Sequence, residues 1–155
     1  MTETARVMPA VELSGKQIPA ASGWTTWPPS DKPQLVGSRC KSCGDYFFPK
    51  VGVCSNPACM GEDLDEVPLS RTGKLYTYAV NYYKPPAPYV PPDPFVPYAT
   101  AIIELDREKM KVQGMVVSNC DFTQLKIGMD METVLEPLYR DAEGNDVMVW
   151  KFRPA

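Results

Sequence analysis

Hydrophobic and polar residues alternate in the carboxyl-terminal half of the chain, from residue 67 onward. Alternation with period two, in runs rich in β-branched and aromatic side chains, predicts β-strands. Five such runs are bounded by turn residues: GKLYTYAVNYY (73–83), YATAIIELD (98–106), MKVQGMVVS (110–118), DMETVLEPLY (130–139) and DVMVWKFRP (146–154). This half of the chain is therefore expected to form a five-stranded sheet.

The connections between these strands indicate how the sheet closes. DREK and DAEGN are short and polar, as in hairpins, whereas NCDFTQLKIG between the third and fourth strands is long enough for a helical turn. Five strands with an insertion at this place predict a mainly β protein with a small five-stranded OB-type barrel. A fragment of a β-sandwich is the alternative.

The longest connection, KPPAPYVPPDPFVPY, joins the first two strands and has seven prolines in positions 84 to 98. Such a segment cannot pair as a central strand. Its stiffness lowers the ordering cost of binding, and Tyr89, Phe95 and Tyr98 provide apolar anchors beside Lys84. The segment is either a contact for a partner or ligand, or a rigid surface loop.

Four of the five cysteines lie close together, in SRCKSCGDYFFPKVGVCSNPACMGE (38–62). They form two pairs separated by ten residues, Cys40 and Cys43, then Cys54 and Cys59. This spacing is typical of a rubredoxin-like zinc ribbon. Gly44 can adopt the positive φ that a knuckle turn often needs. The longer second pair, CSNPAC, requires a wider turn, for which its asparagine and proline are suited.

Four thiolates around one metal ion form a closed tetrahedral site, with no position for water or substrate. The metal is therefore expected to hold the fold. Zinc is favoured because it is the usual metal of such four-cysteine sites, and iron fits the same ligands. The alternatives are a redox dithiol and unrelated free thiols, but a redox C-x-x-C is expected near a βαβ pattern, which this sequence lacks.

Composition narrows the class of partner and the location. The net charge of −3 and the pI of about 5.0 provide no basic field for nucleic acid. The sequence has no apolar run long enough to span a membrane and no signal peptide, so a cytoplasmic location is expected. Thiols stay reduced there, which favours metal ligands over disulfides.

Catalytic side chains are hard to find in this sequence. The chain has no histidine, the usual base that activates a nucleophile. Cys120 is the only cysteine outside the cluster, and the adjacent Asp121 is expected to raise the pKa of its thiol. The remaining candidates are carboxylates, and these are expected to lie on solvated faces without a catalytic role: Asp106, Glu108, Glu132 and Glu136.

The amino-terminal segment contains GWTTWPPSDKP, whose prolines argue against a long helix. Trp24 and Trp27 offer large apolar surfaces, so this extended arm either packs on its own domain or docks on a partner. The expected organisation is an arm (1–34), a zinc ribbon (35–68) and a barrel (69–155).

The order of these parts resembles the acyl-CoA-associated zinc-ribbon/OB-fold family. The resemblance rests on LVGSRCKSCG, SRTGKLYTY, VPYATAIIELD and LKIGMDMETVLEP, and it covers roughly residues 35–153. Members of that family are accessory subunits of thiolases, of 3-hydroxy-3-methylglutaryl-CoA synthase assemblies, and of hydratases and aldolases that use thiolase-like proteins. The thiolase branch is the most similar, including thiolases of anaerobic toluene breakdown.

The resemblance implies a non-catalytic subunit in a hetero-oligomer with a thiolase-like catalytic subunit, with acyl-CoA at or near the interface. The residues expected to contact the partner or acyl-CoA are Lys84, Tyr89, Phe95, Tyr98, Trp24 and Trp27. Two rival functions are a redox or metal-handling protein, which the closed ligand set opposes, and a nucleic-acid-binding OB fold, which the acidic balance opposes. The nucleic-acid rival would stack bases on Tyr76, Tyr78, Tyr82 and Tyr83.

Overall fold

The computed structural model describes residues 15–88, 91 and 93–155. These residues form nine strands and one short 3₁₀ helix, and none of their helices is long and apolar enough to cross a membrane. The elements are β1 (Gln17–Pro19), β2 (Val36–Cys40), β3 (Tyr46–Phe47), β4 (Leu64–Pro68), β5 (Thr72–Asn81), β6 (Tyr98–Leu105), β7 (Lys111–Val116), η1 (Phe122–Gln124), β8 (Asp130–Arg140) and β9 (Asp146–Pro154).

Strands β5 to β9 close into a five-stranded barrel. β6 pairs with β5 and β7, β8 pairs with β5 and β9, all antiparallel, and a short parallel pairing of β7 with β9 completes the circle. The prediction of an OB-type barrel is confirmed, and the sandwich alternative is wrong. Observed strand ends lie within two residues of the predicted ones, and η1 provides the expected helical turn.

The barrel interior is filled by alternate residues of its strands. In β6 every second residue is buried, from Ala99 to Leu105, and Phe152 of β9 is fully buried against them. Gly114 of β7 faces Phe152, and a Cβ atom at this position would lie 2.6 Å from the Phe152 ring. Only glycine therefore fits this wall without displacing the core.

The ribbon is a separate three-stranded antiparallel sheet in which β2 lies between β3 and β4. It joins the barrel through two fully buried leucines, Leu35 and Leu69. The Leu69 N–H donates to the Leu35 carbonyl at 2.8 Å, and the Gln34 side chain donates to the Leu69 carbonyl at 3.1 Å. These bonds tie the two ends of the ribbon together where the barrel begins.

The arm folds back on the rest of the chain. β1 pairs in parallel with the start of β9. Further along, the Trp24 ring lies 5.6 Å from the Phe48 ring of the ribbon and 5.5 Å from the Trp150 ring of the barrel. Of the two alternatives for the arm, its described part thus packs on its own chain, although Trp27 stays 39% exposed.

Candidate metal centre

The first cysteine pair lies on a tight turn at the end of β2. Cys40 is the last residue of β2; its N–H donates to the Asp45 carbonyl, and the Gly44 N–H donates to the Cys40 carbonyl, both at 2.9 Å. Gly44 has φ = +79°, a left-handed conformation that costs glycine little. The predicted role of Gly44 in the knuckle is therefore confirmed.

The second pair lies on a wider turn, as predicted. The Asn56 carbonyl accepts the N–H groups of Cys59 and Met60 at 2.9 and 3.0 Å, while the Asn56 side chain accepts the Ala58 N–H at 3.0 Å. The left-handed position falls on Met60, with φ = +52°. Sequence reasoning missed this residue because a methionine carries no signal for a positive φ.

The two turns bring four sulfur atoms into one cluster. The Sγ atoms of Cys40 and Cys59 are 3.7 Å apart, those of Cys43 and Cys54 are 3.6 Å apart, and all four lie within 4.8 Å of one another. A tetrahedral zinc ion with Zn–S bonds of about 2.3 Å requires sulfurs about 3.8 Å apart. The four cysteines are thus positioned for metal binding.

The thiols of the cluster influence one another strongly. The N–H of Cys43 donates to the Cys40 sulfur and, with weaker hydrogen bonds, lowers the pKa of Cys40 to about 6 despite its burial. The Asp45 N–H favours the Cys43 thiolate, but desolvation of this sulfur by its neighbours and the adjacent thiols outweigh it, and they raise the pKa of Cys43 to about 12, although the residue is exposed. Four thiolates can coexist here only with a cation to neutralise them.

Charged residues around the cluster are engaged elsewhere. Lys41 lies 3.4 Å from both Asp63 and Asp65, and Lys50 lies 2.8 Å from Glu66. A Cβ atom at Gly61 would lie 3.2 Å from the Ser42 Oγ and 3.4 and 3.5 Å from the sulfurs of Cys59 and Cys40. The backbone at Gly61 thus packs against the cluster, in which Cys40 and Cys54 are buried and Cys43 is exposed.

The predicted contact residues of the proline-rich loop lie far along the chain from this site. Lys84 is exposed, and the half-buried Phe95 and Tyr98 pack edge to face with ring centroids 6.3 Å apart. Tyr89 lies outside the described residues. The described residues 84–88, 91 and 93–97 of this segment form no strand, as predicted, whereas Tyr98 is the first residue of β6. The ligand contacts themselves stay predictions.

Cys120 has none of the features of an activated nucleophile. It is 9% exposed, and its sulfur contacts the Asp121 carbonyl at 3.6 Å. Burial, and to a smaller extent the Asp121 charge, raise the pKa of the Cys120 thiol. The direction matches the sequence prediction, but burial is the larger cause.

The prediction that four carboxylates are solvated is wrong for Glu108. Its side chain is fully buried, and Oε1 accepts the Ser70 N–H at 3.1 Å. Arg107 binds the same carboxylate from the surface at 2.9 Å. The turn that carries Glu108 folds over the junction between ribbon and barrel, which the sequence pattern of one hairpin could not show.

Glu132 and Glu136 on β8 are also not on a solvated face, since their side chains are 21% and 19% exposed. Glu132 pairs with Arg153 at 2.5 Å. Glu136 accepts both the N–H and the hydroxyl of Ser118, and lies 3.8 Å from Lys151. Burial lowers the pKa of Lys151, partly offset by Glu136. Asp106 is exposed, as expected.

Two family profiles match this chain, one over the cysteine cluster and one over most of the barrel. Residues 31–65 match the family profile described as the ChsH2 rubredoxin-like zinc ribbon domain. Residues 66–136 match the profile of the ChsH2 C-terminal OB-fold domain. The metal cluster thus falls within the first match, and most of the barrel within the second.

Similar proteins are named as scaffold proteins and as enzyme subunits. A DUF35 domain-containing scaffold protein of Methanocaldococcus jannaschii is 35% identical over 122 residues, 77% of this chain and 81% of that protein. Benzoylsuccinyl-CoA thiolase subunit BbsA of Geobacter metallireducens is 29% identical over 121 residues, 78% of this chain and 75% of that protein. BbsA of Thauera aromatica is 52% identical over 50 residues, 32% of this chain and 33% of that protein.

Among solved structures, the Ltp2-ChsH2(DUF35) aldolase contains a similar chain. The two chains superpose with a TM-score of 0.56 at 30% sequence identity, covering 78% of this chain and 84% of that one. The similarity therefore extends over both the ribbon and the barrel.

Proposed function

Because this chain belongs to the ChsH2/DUF35 family of zinc-ribbon and OB-fold proteins, we propose that it is a non-catalytic accessory subunit of a thiolase-type acyl-CoA enzyme. The observation that carries the proposal is the similarity to BbsA over 121 residues. By analogy with that protein, the assembly would act on an aromatic CoA ester such as benzoylsuccinyl-CoA, in anaerobic toluene breakdown. Clustered cysteines that are metal ligands and not disulfide partners favour the reducing cytoplasm as its location.

The chemistry is assigned to the partner because the described residues of this chain offer no means to carry it out. Thiolytic cleavage requires an activated thiolate and a base. The chain has no histidine, Cys120 is buried with a raised pKa, and the other cysteines face one another. The partner would supply the nucleophile, the base and the acyl-binding pocket.

The cysteine cluster would hold one structural metal ion in this subunit. The sulfur spacing suits zinc, and iron is compatible with the same ligands. When bound, the ion would neutralise the four thiolates and supply stability that a ribbon of about thirty residues cannot obtain from a hydrophobic core. The ribbon then presents a fixed surface to the partner.

The proline-rich loop is the segment that we assign to acyl-CoA access. Phe95 and Tyr98 could exclude water at the entrance for the CoA ester, with Tyr89 contributing in the same way, and the exposed Lys84 could meet a CoA phosphate. Trp27, exposed on the arm, is a further candidate for contact with the partner. Trp24 is a weaker one, because its ring already packs between Phe48 and Trp150.

An accessory role in an aldolase is the second candidate function. The superposition with the Ltp2-ChsH2(DUF35) aldolase favours it, since a chain with the same ribbon and barrel occurs in that aldolase. Accessory subunits of this architecture would then stabilise and shape related catalytic partners, and the partner would decide the reaction.

Affinity purification of the tagged chain from its native cell tests these alternatives. We expect a thiolase-like subunit in stoichiometric amount, and CoA-dependent cleavage of benzoylsuccinyl-CoA by the complex but not by the isolated chain. Carbon–carbon cleavage without CoA would favour the aldolase assignment. Turnover by the isolated chain, or purification of the chain without a catalytic subunit, would contradict the proposed function.

A further inference from the structure

One edge of β5 is open along its second half. β5 pairs with β6 along its length but with β8 only from Thr72 to Lys74. Next to that pairing, Leu75 donates its N–H to the Met129 carbonyl at 2.9 Å and accepts the Gly128 N–H at 2.7 Å. Beyond Leu75, no strand within the described residues pairs with this side of β5.

The backbone groups at this edge are arranged to bond another strand. In an antiparallel pair, residues that bond one neighbour alternate with residues that point away from it. Leu75 points away from β6, and the β-bulge between Leu75 and Thr77 shifts the alternation by one residue. Tyr78 and Val80 therefore direct their N–H and C=O groups toward the open side.

The side chains along this edge are unusually exposed for a barrel strand. Thr77 and Ala79 are small and exposed, so they leave room for an approaching backbone. At the far end Tyr82 and Tyr83 are 64% and 88% exposed. At the near end, where the loop after η1 meets Leu75, Tyr76 is 53% and Ile127 is 64% exposed. Apolar side chains on an unprotected strand edge mark a pairing surface.

Two lysines flank the open edge and carry unmatched charge. Lys84 follows the strand at one end, and Lys126 lies in the loop that contacts Leu75 at the other. Both are exposed, and neither forms an ion pair with any residue that the structure describes. Lysines on an edge oppose self-association while favouring an acidic partner.

We propose that residues 76–83 receive an extended, acidic strand of the catalytic partner, which continues the barrel sheet by β-augmentation. Its backbone bonds Tyr78 and Val80, its carboxylates face Lys84 and Lys126, and its apolar side chains contact the exposed tyrosines. The identity of the partner rests on the proposed function. The strand edge also leads directly into the proline-rich loop, so partner docking and acyl-CoA access would share one side of the barrel.

A second copy of this chain fits the same edge less well. An antiparallel pairing of two β5 strands centred on Ala79 would bring Lys84 of each copy toward Lys126 of the other. Like charges facing each other across a strand pair are destabilising. The charges therefore select an acidic partner over self-pairing.

The test uses the complex purified from the native cell. Hydrogen exchange of the bound and free chain should show slower exchange, by at least about tenfold, at the amides of Tyr78 and Val80. Lys84→Glu with Lys126→Glu should weaken association at least about tenfold, and more at low salt. The control, Lys16→Glu with Lys109→Glu, makes the same charge change at two exposed residues outside this edge and should leave association unchanged.

The outcomes separate the strand proposal from the proposed function. A catalytic subunit that binds without protecting these amides and without responding to the lysine variants overturns the strand proposal alone. Protection of the same amides in a homodimer of the chain also overturns it, in favour of a second copy. Absence of any catalytic subunit refutes the proposed function.

If no catalytic subunit is obtained, the edge is tested directly. A ten-residue peptide of alternating valine and glutamate, added to the isotope-labelled chain, should shift the amide resonances of residues 77–83. A matched valine and lysine peptide should not. Equal shifts with both peptides, or no shift with either, overturn the strand proposal.

Discussion

Met60 adopts a left-handed backbone conformation that its residue type does not indicate. The first knuckle uses Gly44 for its left-handed position, and the second uses Met60 at φ = +52°. A side chain in this region crowds the following carbonyl, which costs about 1–2 kcal/mol relative to glycine. Met60 is 65% exposed, so little packing compensates.

Substitution of Met60 should therefore act through the backbone. Met60→Val is expected to destabilise the metal-loaded ribbon by at least about 1 kcal/mol, since β-branched residues tolerate a positive φ poorly. Met60→Gly should leave its stability equal or higher. Competition with a chromophoric zinc chelator measures both, and equal zinc loss from the two variants would exclude the backbone explanation.

Cys120 allows a second prediction at the same scale. Cys120→Ala in the reconstituted complex should change the catalytic rate by no more than a few-fold, because a buried thiol with a raised pKa is not a nucleophile. Loss of a true nucleophile typically costs several orders of magnitude. Steady-state kinetics with a check of subunit stoichiometry measures this, and a collapse of rate in an intact complex would contradict the assignment.

Individual elements were predictable where the signal is local. The five barrel strands alternate apolar and polar residues between turn formers, so their ends could be read to within two residues. The parallel contact of β7 with β9 joins segments far apart in sequence and has no local signal. The aromatic cluster of Trp24, Phe48 and Trp150 combines arm, ribbon and barrel, and was missed for the same reason.

The aromatic cluster links the metal ribbon to the barrel and gives the ribbon a spectroscopic reporter. Phe48 directly follows β3 and lies between the first knuckle and the second cysteine pair. Removal of the metal by a chelator, or Cys43→Ser, should disorder the ribbon and move Phe48 away from both tryptophans. Trp fluorescence should then shift toward that of exposed indole while the far-ultraviolet signal of the barrel persists.

Elemental analysis provides the control for this result. The wild-type chain should contain one zinc or iron ion, and Cys43→Ser should contain much less. Freshly purified protein without stoichiometric metal would contradict the assignment of the metal site. An unchanged tryptophan spectrum after metal loss would mean that the metal does not hold the aromatic cluster in place.

The proline-rich loop is an element whose role depends on a partner. Shortening it between Pro86 and Pro94 should leave the metal content and the barrel intact, because the described loop residues pair with no strand. If the loop guards the acyl-CoA entrance, the shortened chain should bind its partner more weakly, raise the KM for the CoA ester, or both. Unchanged partner affinity together with an unchanged KM would identify a passive spacer.

At the scale of the whole molecule, arm, ribbon and barrel are fixed to one another by several contacts around the start of the barrel. Arg71, at the start of the barrel, donates to the carbonyls of Pro33 and Thr133 at 3.1 Å each. Arg107 donates to the Pro68 carbonyl at 2.9 Å. The sequence could supply the order of arm, ribbon and barrel, but not this junction, because its bonds are between backbone carbonyls and side chains distant in the chain.

A rigid junction of this kind suits a subunit whose ribbon and barrel contact a partner in a fixed relative orientation. Trp24 of the arm contacts both ribbon and barrel, so Trp24→Ala should loosen their relative orientation. Truncating a tryptophan in a packed cluster typically costs about 3–5 kcal/mol; here the ring is only half-buried, so a smaller loss is expected. Zinc content should persist because the ligands are untouched, while partner affinity should fall.

Small-angle scattering and calorimetry on the Trp24→Ala chain measure the two parts of this expectation. A broader distribution of particle dimensions together with weaker partner binding would mean that the fixed orientation contributes to assembly. Trp27→Ala is the matched comparison for direct partner contact by the arm, since its exposed ring lies outside the aromatic cluster. If Trp27→Ala alone weakened binding, the partner would contact the arm directly, and the aromatic cluster would serve only the stability of the subunit.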